Sequence, residues 1–312
     1  MISKNQAKLV RSLETKKHRQ AEGLFVAEGP KVVGDLLACH FRPHIIFSTN
    51  VGGANSASPS PIGAANSAGS SPIGAANNAS PLPCPIVHVT DDELRRISFL
   101  QHPQQVLAVF ELPSSPGPIS PIRPISPISP IRPISPISPI RPISPISPIS
   151  PIRPISPISP ISPTGLSLAL DGVQDPGNLG TIIRVADWYG IDTIYCSPDT
   201  ADCWAPKVVQ ATMGSIARVR MVYTDLITLL NNAEVPVYGT VLDGDNIYHQ
   251  QLTGEGIIVM GNEGNGISAP VRQLLTHRLL IPQVRPGAES LNVAIATAIV
   301  CSEFRRTLLQ TT

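Results

Sequence analysis

The sequence predicts an α/β protein in which two folded parts are joined by a proline-rich segment. From residue 165 onward, strand-like and helix-like segments alternate, a pattern typical of a mostly parallel sheet with helices on both faces. A shorter series of the same kind fills residues 1–112. Between them, residues 118–162 repeat Pro-Ile-Ser or Pro-Ile-Arg, which can form neither an α-helix nor a central strand. These observations divide the chain into a first domain at 1–112, a linker at 113–164 and a second domain at 165–312.

The first domain is expected to be a small α/β unit with a low-complexity insertion at about 52–83, where Ser-Pro-Ile-Gly-Ala-Ala-Asn occurs twice. Hydrophobic periodicity predicts strands at 24–28, 44–48, 86–89 and 105–110, and helices at 3–13, 29–39 and 91–98. The first 20 residues are basic, which indicates either a phosphate-contacting surface or a solvated helix face. The basic residues are Lys4, Lys8, Arg11, Lys16, Lys17 and Arg19.

In residues 118–162, proline at every third position matches the three residues per turn of polyproline II. We interpret this tract as a linker between the domains; a binding site for a proline-recognising module is the alternative. The tract has no aromatic residue, no acid and no alternating pattern, so it cannot contribute a packed core. We therefore expect its removal to leave the fold and the chemistry of the second domain unchanged.

The second domain is predicted from regular alternation of apolar strands and amphipathic helices. The predicted strands are 166–170, 193–196, 218–223, 237–242, 257–260 and 278–281. The predicted helices are 178–189, 205–217, 225–231, 269–276 and 291–309. The last helix is apolar nearly all round, so it must be buried on most sides, either in the core or against a partner subunit.

Composition argues against a broad nucleic-acid-binding protein, a zinc protein, a secreted protein and a membrane protein. The net charge is +1, and outside the repeat the acidic residues outnumber the basic ones, which argues mildly against broad nucleic-acid binding. The five cysteines form no Cys-x-x-Cys pair, so no zinc or other metal site is expected. The N-terminal residues have no apolar signal core, and no run of about 18 apolar residues suggests a membrane span. We expect a cytoplasmic protein with reduced thiols.

Three segments of the second domain each follow a predicted strand, where open α/β sheets place their ligands. In the first, a Gly/Pro-rich turn leads into a helix near Asn178, and Arg184 follows six residues later, so both are expected to face the cleft above the sheet. In the second, an apolar strand runs into a loop in which three glycines surround Glu263. In the third, Ser290 and Asn292 begin the long apolar helix, and Ser290 is the natural N-cap.

Each segment also has a purely structural interpretation: a cap with a surface arginine, an ordinary turn, and a helix cap. The glycine loop does not match the dinucleotide-binding fingerprint, because its order is Gly-x-x-Gly-x-Gly and no strong helix pattern follows directly. Asn292 on an otherwise apolar helix is the hardest of these residues to explain structurally.

Together the three segments resemble the SpoU (TrmH-like) branch of the SPOUT methyltransferases. The motif residues are Asn178-Leu-Gly180-Thr-Ile-Ile-Arg184, Gly261-Asn-Glu263-Gly-Asn-Gly266 and Ser290-Leu291-Asn292-Val293. The resemblance covers residues 165–312 and implies a SPOUT domain with a trefoil knot, which general chain topology alone would not suggest. The N-terminal part, from Ser3-Lys-Asn to Phe25-Val-Ala-Glu-Gly-Pro30, looks more loosely like the ribosomal-protein-like RNA-binding domain that many SpoU enzymes carry.

The resemblance implies an S-adenosylmethionine-dependent RNA ribose 2′-O-methyltransferase that works as a homodimer. The first domain favours ribosomal RNA, with transfer RNA as the alternative. The implied catalytic residues are Arg184, Asn178, Glu263, Ser290 and Asn292, and the implied cofactor-binding residues are Thr240, Gly261, Ile281 and Leu291. Asn178 and Glu263 would hold Arg184 and the ribose; Arg184 is either the base or a group that binds phosphate and orients the hydroxyl. The rival interpretations are a non-catalytic RNA-binding protein and a nucleotide-cofactor oxidoreductase.

Overall fold

The computed structural model describes residues 1–49, 84–113, 165–285, 287 and 290–310, and of residues 307–310 it describes the backbone. The low-complexity insertion and the proline-rich repeat lie outside these residues. The described residues before and after the repeat pack into one compact unit that contains two sheets. No helix in the described part of the chain is long and apolar enough to cross a membrane.

The N-terminal domain is built on a four-stranded sheet in the order β1-β4-β2-β3. Its strands are β1 (Leu24–Glu28), β2 (Pro43–Ser48), β3 (Ile86–His88) and β4 (Val106–Glu111). Strand β4 pairs antiparallel with both β1 and β2, whereas β2 and β3 are parallel. Its helices are α1 (Lys4–Ser12), α2 (Lys16–Glu22), α3 (Pro30–Ala38) and α4 (Asp91–Ile97).

Both faces of this sheet are buried. Successive side chains of β1 and β4 point to opposite faces, so each strand contributes to two cores. Leu24 and Val26 join a core with α1 and α4, whereas Phe25 and Ala27 join a second core with α3. The second core continues without a break into the C-terminal domain. The predicted elements are confirmed here to within two residues, but α2, a short helix with few apolar residues, is not among them.

The C-terminal domain is built on a six-stranded sheet in the order β10-β8-β9-β5-β6-β7, in which all neighbours are parallel. Its strands are β5 (Leu166–Asp171), β6 (Thr193–Cys196), β7 (Arg220–Tyr223), β8 (Val237–Asn246), β9 (Gly256–Gly261) and β10 (His277–Leu280). The predicted parallel sheet is confirmed. The knot implied by the resemblance stays a prediction.

Helices cover both faces of this sheet, as expected. Apolar residues of α5, α6 and α9 pack on one face and those of α7 and α8 on the other. The helices are α5 (Pro176–Trp188), α6 (Pro206–Ala211), α7 (Leu226–Asn231), α8 (Ala269–Arg272) and α9 (Val293–Gln310). The helix predicted at 205–217 is interrupted, because Met213 and Gly214 both have positive φ, and a 3₁₀ turn follows.

Helix α9 runs parallel to α5. Asn292, just before α9, bonds to Asn178 near the start of α5, and Arg305 bonds to the carbonyls of Tyr189 and Gly190 just after α5. One face of α9 is buried, but on the outer side Ile295 is 55 % exposed, and on α5 Trp188 is 84 % exposed. Within this chain, α9 is therefore covered on its inner face, and its outer side is left exposed. The expected burial on most sides is met only in part.

The two domains meet along a boundary that is apolar in the middle and ionic at both ends. Trp204 of the C-terminal domain packs on Phe25, with ring centroids 4.6 Å apart. At one end, Arg19 of α2 forms an ion pair with Asp202. At the other end, Arg218 bonds to Asp187 in its own domain and, at 3.4 Å, to Asp35 of α3. Arg19 is 2 % exposed, so this member of the basic cluster is structural, and the expectation that it contacts phosphate from the surface is wrong.

Candidate functional site

The three motif segments meet at the carboxyl edge of the parallel sheet, where they follow β5, β9 and β10. The turn after β5 places Asp175 as the N-cap of α5, where its Oδ1 accepts the backbone N–H of Asn178 at 2.8 Å. Gly180 of the same motif lies where α5 packs on α6, and a Cβ atom there would be 2.4 Å from that of Ala211. The motif glycine thus permits the helix packing that holds Asn178 at the edge of the sheet.

A chain of side-chain hydrogen bonds joins one residue from each segment. Asn178 Nδ2 donates to Glu263 Oε1 at 2.9 Å, and Asn292 Nδ2 donates to Asn178 Oδ1 at 2.9 Å. The Glu263 carboxylate also accepts the backbone N–H groups of Gln174 and Asp175 at 3.4 Å. The network fixes the orientation of both amides, and it holds a carboxylate in a site that is open to solvent.

The glycine-rich loop after β9 closes on itself. Asn262 and Gly266 exchange backbone hydrogen bonds of 2.9 and 3.0 Å, and Asn262 Oδ1 accepts the backbone N–H of Gly264 at 2.9 Å. Asn262 Nδ2 ties the loop to the carbonyl of Gly172 after β5. Sequence reasoning missed Asn262; the signal was available, because Asn at a tight turn commonly bonds to backbone two residues on.

Gly261 is required by this closure. A Cβ atom on Gly261 would lie 2.2 Å from the carbonyl carbon of Gly266 and 2.3 Å from the nitrogen of Ile267, so no larger residue fits without moving the loop. The close approach also leaves backbone groups of the loop lining an adjacent cavity.

That cavity has a volume of about 720 Å³ and lies between β8, the glycine loop and the segment after β10. All four residues expected to bind a cofactor line it: Thr240, Gly261, Ile281 and Leu291. Glu263 and Ser290, expected to be catalytic, line it as well. The remaining apolar lining comes from side chains such as Met260, Leu279 and Val293.

The expected N-cap of α9 is wrong by two residues. Helix α9 begins at Val293, and the side chain of Asn292 caps it: its Oδ1 accepts the backbone N–H groups of Ala294 at 2.9 Å and Ile295 at 3.3 Å. Asn292 therefore caps the helix with its oxygen and binds Asn178 with its nitrogen. Ser290 remains an exposed lining residue of the cavity.

Arg184 is not brought into the network. Six residues along an α-helix turn by about 240°, so Arg184 and Asn178 cannot share a face of α5, and the expectation that both face the same cleft is wrong. Arg184 is exposed, and among the described residues it has no hydrogen-bond or ion-pair partner, Asn178 and Glu263 included. It lies one turn before Trp188, on the outer side of the helix.

The cysteine thiols of the domain are buried. Burial raises the pKa of Cys203 and of Cys301 to about 12, so both thiols stay protonated and are poor nucleophiles. In the described part of the chain, no three His, Cys, Asp or Glu side chains are placed to hold a metal ion.

Comparison with known protein families gives two matches. Residues 165–302 match the SpoU rRNA Methylase family, and residues 4–108 match the MRM3-like substrate binding domain. Among curated relatives, an uncharacterized tRNA/rRNA methyltransferase of Synechocystis is 36 % identical over 146 residues, 45 % of this chain and 53 % of the relative. The 23S rRNA (guanosine(2553)-2′-O)-methyltransferase RlmP of Bacillus subtilis is 37 % identical over 142 residues, 44 % of this chain and 57 % of the relative. The chain thus spans little more than half the length of these two relatives.

Solved structures match over nearly the full chain. A TrmH-family protein from Porphyromonas gingivalis is 34 % identical and aligns with a TM-score of 0.70 over 98 % of this chain and 99 % of its own. An AdoMet-bound rRNA methyltransferase from Sinorhizobium meliloti is 26 % identical, with a TM-score of 0.68 over 99 % of this chain and 97 % of its own.

Proposed function

Because this chain belongs to the SpoU (TrmH-like) family of RNA methyltransferases, we propose that it transfers a methyl group from S-adenosylmethionine to a ribose 2′-hydroxyl of RNA. The observation that carries the proposal is the hydrogen-bonded series Asn292–Asn178–Glu263, with Glu263 also at the wall of the 720 Å³ cavity. Three motifs that are far apart in sequence thereby place polar groups beside one ligand-sized space.

The cavity suits S-adenosylmethionine in size and in chemistry. Its volume falls within the range of about 300–1,000 Å³ of small-ligand sites, which combine apolar walls with a few fixed polar groups. Gly261, Ile281 and Leu291, together with Thr240, line the cavity and would hold the cofactor. The absence of a side chain on Gly261 is what allows the loop to form this wall.

When bound, S-adenosylmethionine would supply a methyl group on a sulfonium: the new bond to the ribose oxygen forms as the S–CH3 bond breaks, and neutral S-adenosylhomocysteine is released. The residues of the chain then position the hydroxyl for attack, and such positioning can supply much of the rate acceleration. Asn178 and Asn292 are held with fixed donors and acceptors, and Glu263 and Ser290 stand at the cavity wall. These groups would orient the ribose, and the open rim lets the hydroxyl proton leave to solvent.

Arg184 is proposed to act from a second copy of the chain. Arg184 is exposed, forms no hydrogen bond or ion pair with the network among the described residues, and lies one helical turn before the exposed Trp188 on α5. Trp188, Leu291, Ile295 and Tyr248 are large exposed apolar residues on or beside the α5–α9 pair, which is the surface that a homodimer would bury. Across such an interface Arg184 would reach the partner's site, where a charged guanidinium binds the phosphate next to the target ribose.

Ribosomal RNA is the proposed substrate class. The support is the match of residues 4–108 to a substrate-binding domain, together with the 23S rRNA named for the Bacillus relative. Transfer RNA is the alternative. We also propose that the protein is cytoplasmic, as expected from the sequence.

The test is methyl transfer by the purified full chain. Ribosomal RNA that lacks 2′-O-methyl marks, or bulk tRNA, is incubated with isotope-labelled S-adenosylmethionine, digested to nucleosides and analysed by mass spectrometry. We expect label in the ribose of one nucleotide of rRNA. Label in a base, or in tRNA alone, would contradict the proposed reaction or the proposed substrate.

Binding titrations separate the two rival functions. We expect binding of S-adenosylmethionine and none of nicotinamide cofactors; the reverse result would indicate an oxidoreductase. A chain that binds RNA but binds neither type of cofactor and transfers no label to RNA would be a non-catalytic RNA-binding protein.

A further inference from the structure

A second cavity, of about 310 Å³, lies at the domain boundary, apart from the cofactor cavity. Its walls come from α2 and the end of β4 in the N-terminal domain, and from the ends of β6 and β7 in the C-terminal domain. Lys16, Leu112, Trp204 and Tyr223 are among its lining residues. Domain boundaries are common places for ligand sites, and the volume is at the lower end of the range for small ligands.

Tyr223 gives this cavity a rigid aromatic wall. Its hydroxyl donates to the carbonyl of Ala201 and accepts the backbone N–H of Cys203 at 2.8 Å, so both hydrogen-bonding functions of the hydroxyl are in use. Burial raises the pKa of the phenol, which keeps it protonated as a donor. Since the residue is still 36 % exposed, the part that remains open to a ligand is the ring itself.

One cationic side chain of this cavity, Lys16, forms no ion pair with the described residues. Lys16 is exposed, and its Nζ lies over the face of the Tyr223 ring, 5.7 Å from the ring centre, so a base that stacks on this face takes the place of the ammonium. Arg19, which also lines the cavity, uses its two terminal nitrogens for Asp202 and for the carbonyls of Leu13 and Glu14. Its Nε is buried and has no hydrogen-bond partner among the described residues, so Arg19 supports the cavity wall, and Asp202 balances its charge.

The cavity lies on the same edge of the sheet as the methyltransferase site. The loop after β6, which carries Asp202 and Trp204, is bonded to the loop after β5 through Ala201 N–H to the carbonyl of Val173 at 2.9 Å. The next residues of the β5 loop, Gln174 and Asp175, donate to Glu263. The cavity and Glu263 are thus connected through neighbouring loops at one edge of the sheet.

We propose that the boundary cavity binds an unpaired nucleobase of the substrate RNA, which stacks on Tyr223 while Lys16 contacts its phosphate. Aromatic rings that stack unpaired bases, with basic residues on the backbone, are the usual means of binding single-stranded RNA. The inference rests on the proposed function, because it takes RNA as the substrate. It adds a subsite at a distance from the target ribose, formed by both domains.

The test compares Tyr223→Leu with Tyr223→Phe in the full chain. The phenylalanine variant loses the hydroxyl bonds but keeps the ring, so it controls for damage to the loop. We expect the leucine variant to raise the KM for RNA by roughly 5- to 100-fold relative to the phenylalanine variant, as loss of one stacked base does. The affinity for S-adenosylmethionine should be equal in both. Equal RNA KM values for the two variants would overturn the proposal.

A second comparison avoids any change in the fold. Lys16 and Lys17 are neighbours on an exposed helix, and of the two only Lys16 lines the cavity. Lys16→Met should weaken RNA binding several-fold more than Lys17→Met. Equal effects would indicate that both lysines attract RNA by their charge alone and that there is no subsite.

Photocrosslinking of wild-type protein to RNA that carries 4-thiouridine should label the peptide with Tyr223. If wild type methylates no RNA, the proposed function fails; if it methylates RNA but these comparisons show no difference, the subsite alone fails.

Discussion

The two ends of the same sheet edge are built in opposite ways. At the end that carries the three motifs, Asn178, Glu263 and Asn292 form a polar network that is open to solvent. At the domain-boundary end, Arg19 is buried and Trp204 packs between aromatic rings. The first end gains little stability from its contacts and is organised for a ligand. The second holds two domains in one orientation. Substitutions at the two ends should therefore separate chemistry from stability.

The largest effect is expected from Arg184→Ala. The side chain has no partner in the described chain, so its loss should not change stability. Removing a group that stabilises charge in a transition state typically lowers turnover about 100- to 1,000-fold. We expect such a loss in single-turnover methyl transfer, with cofactor affinity changed by no more than a few fold. Substantial turnover by the purified variant would refute the assignment.

Mixed dimers test whether Arg184 acts in the partner subunit. Arg184→Ala and Asn178→Ala subunits are each expected to be inactive alone. Mixed after unfolding and refolding, they should recover part of the activity, because one of the two sites in a mixed dimer then has both residues intact. Failure to recover, with mixed dimers present by native mass spectrometry, would place Arg184 and Asn178 in the same subunit's site.

At the boundary, Arg19→Met should lower stability and leave the chemistry intact. Removing one member of a buried ion pair leaves the other charge uncompensated and costs about 3–5 kcal/mol. Because the side chain of Asp202 is 16 % exposed, we expect the lower end of that range in denaturant unfolding. The matched control is Arg218→Met, which removes an arginine that is 36 % exposed and should cost about 1 kcal/mol or less. Equal losses for the two variants would contradict the contrast in burial.

The features near the motifs could be predicted from the sequence, whereas the domain boundary could not. Strand β1 was predicted at its observed bounds, and the parallel sheet was predicted because its strands and helices alternate. The motif residues were found because short, local patterns contain them. The boundary was not predicted, since Arg19 and Asp202 are 183 residues apart and neither lies in a motif. Helix α2 was missed because it is mostly charged and polar, and its only buried residue is that arginine.

The partial failures at the site have equally specific causes. Helical geometry alone could have excluded a shared face for Asn178 and Arg184, since six residues give the wrong angle. The cap of α9 could not be chosen from sequence, because Ser290 and Asn292 are both good N-cap residues. The structure decides for Asn292 through its bonds to Ala294 and Ile295.

The two functions of Asn292 can be separated by two substitutions. Asn292→Asp keeps an oxygen for the helix N-terminus but loses the donor to Asn178 and places a second carboxylate near Glu263. We expect turnover to fall about 10- to 100-fold, as when a residue that orients a functional side chain is lost, with an unchanged midpoint of thermal unfolding. Asn292→Ala should add a stability loss of about 1 kcal/mol, the usual cost of losing a cap. An Asp variant that is as active as wild type would show that the bond to Asn178 is dispensable.

The smallest effect is expected from shortening the repeat at residues 118–162, which lies outside the described residues. Direct contacts such as Phe25–Trp204 and Arg19–Asp202 already hold the two domains together. Loop-closure entropy changes by about 0.6 kcal/mol per doubling of length, so a shorter connection should leave the unfolding midpoint nearly unchanged. Cofactor affinity and maximal rate should also be retained, and the KM for RNA should change less than tenfold. The control is a full-length tract in which Arg123, Arg132, Arg141 and Arg153 are serine, which changes charge at constant length. A large rise in KM shared by both variants would show that these arginines bind RNA, whereas aggregation of the shortened chain alone would show that the tract is structural.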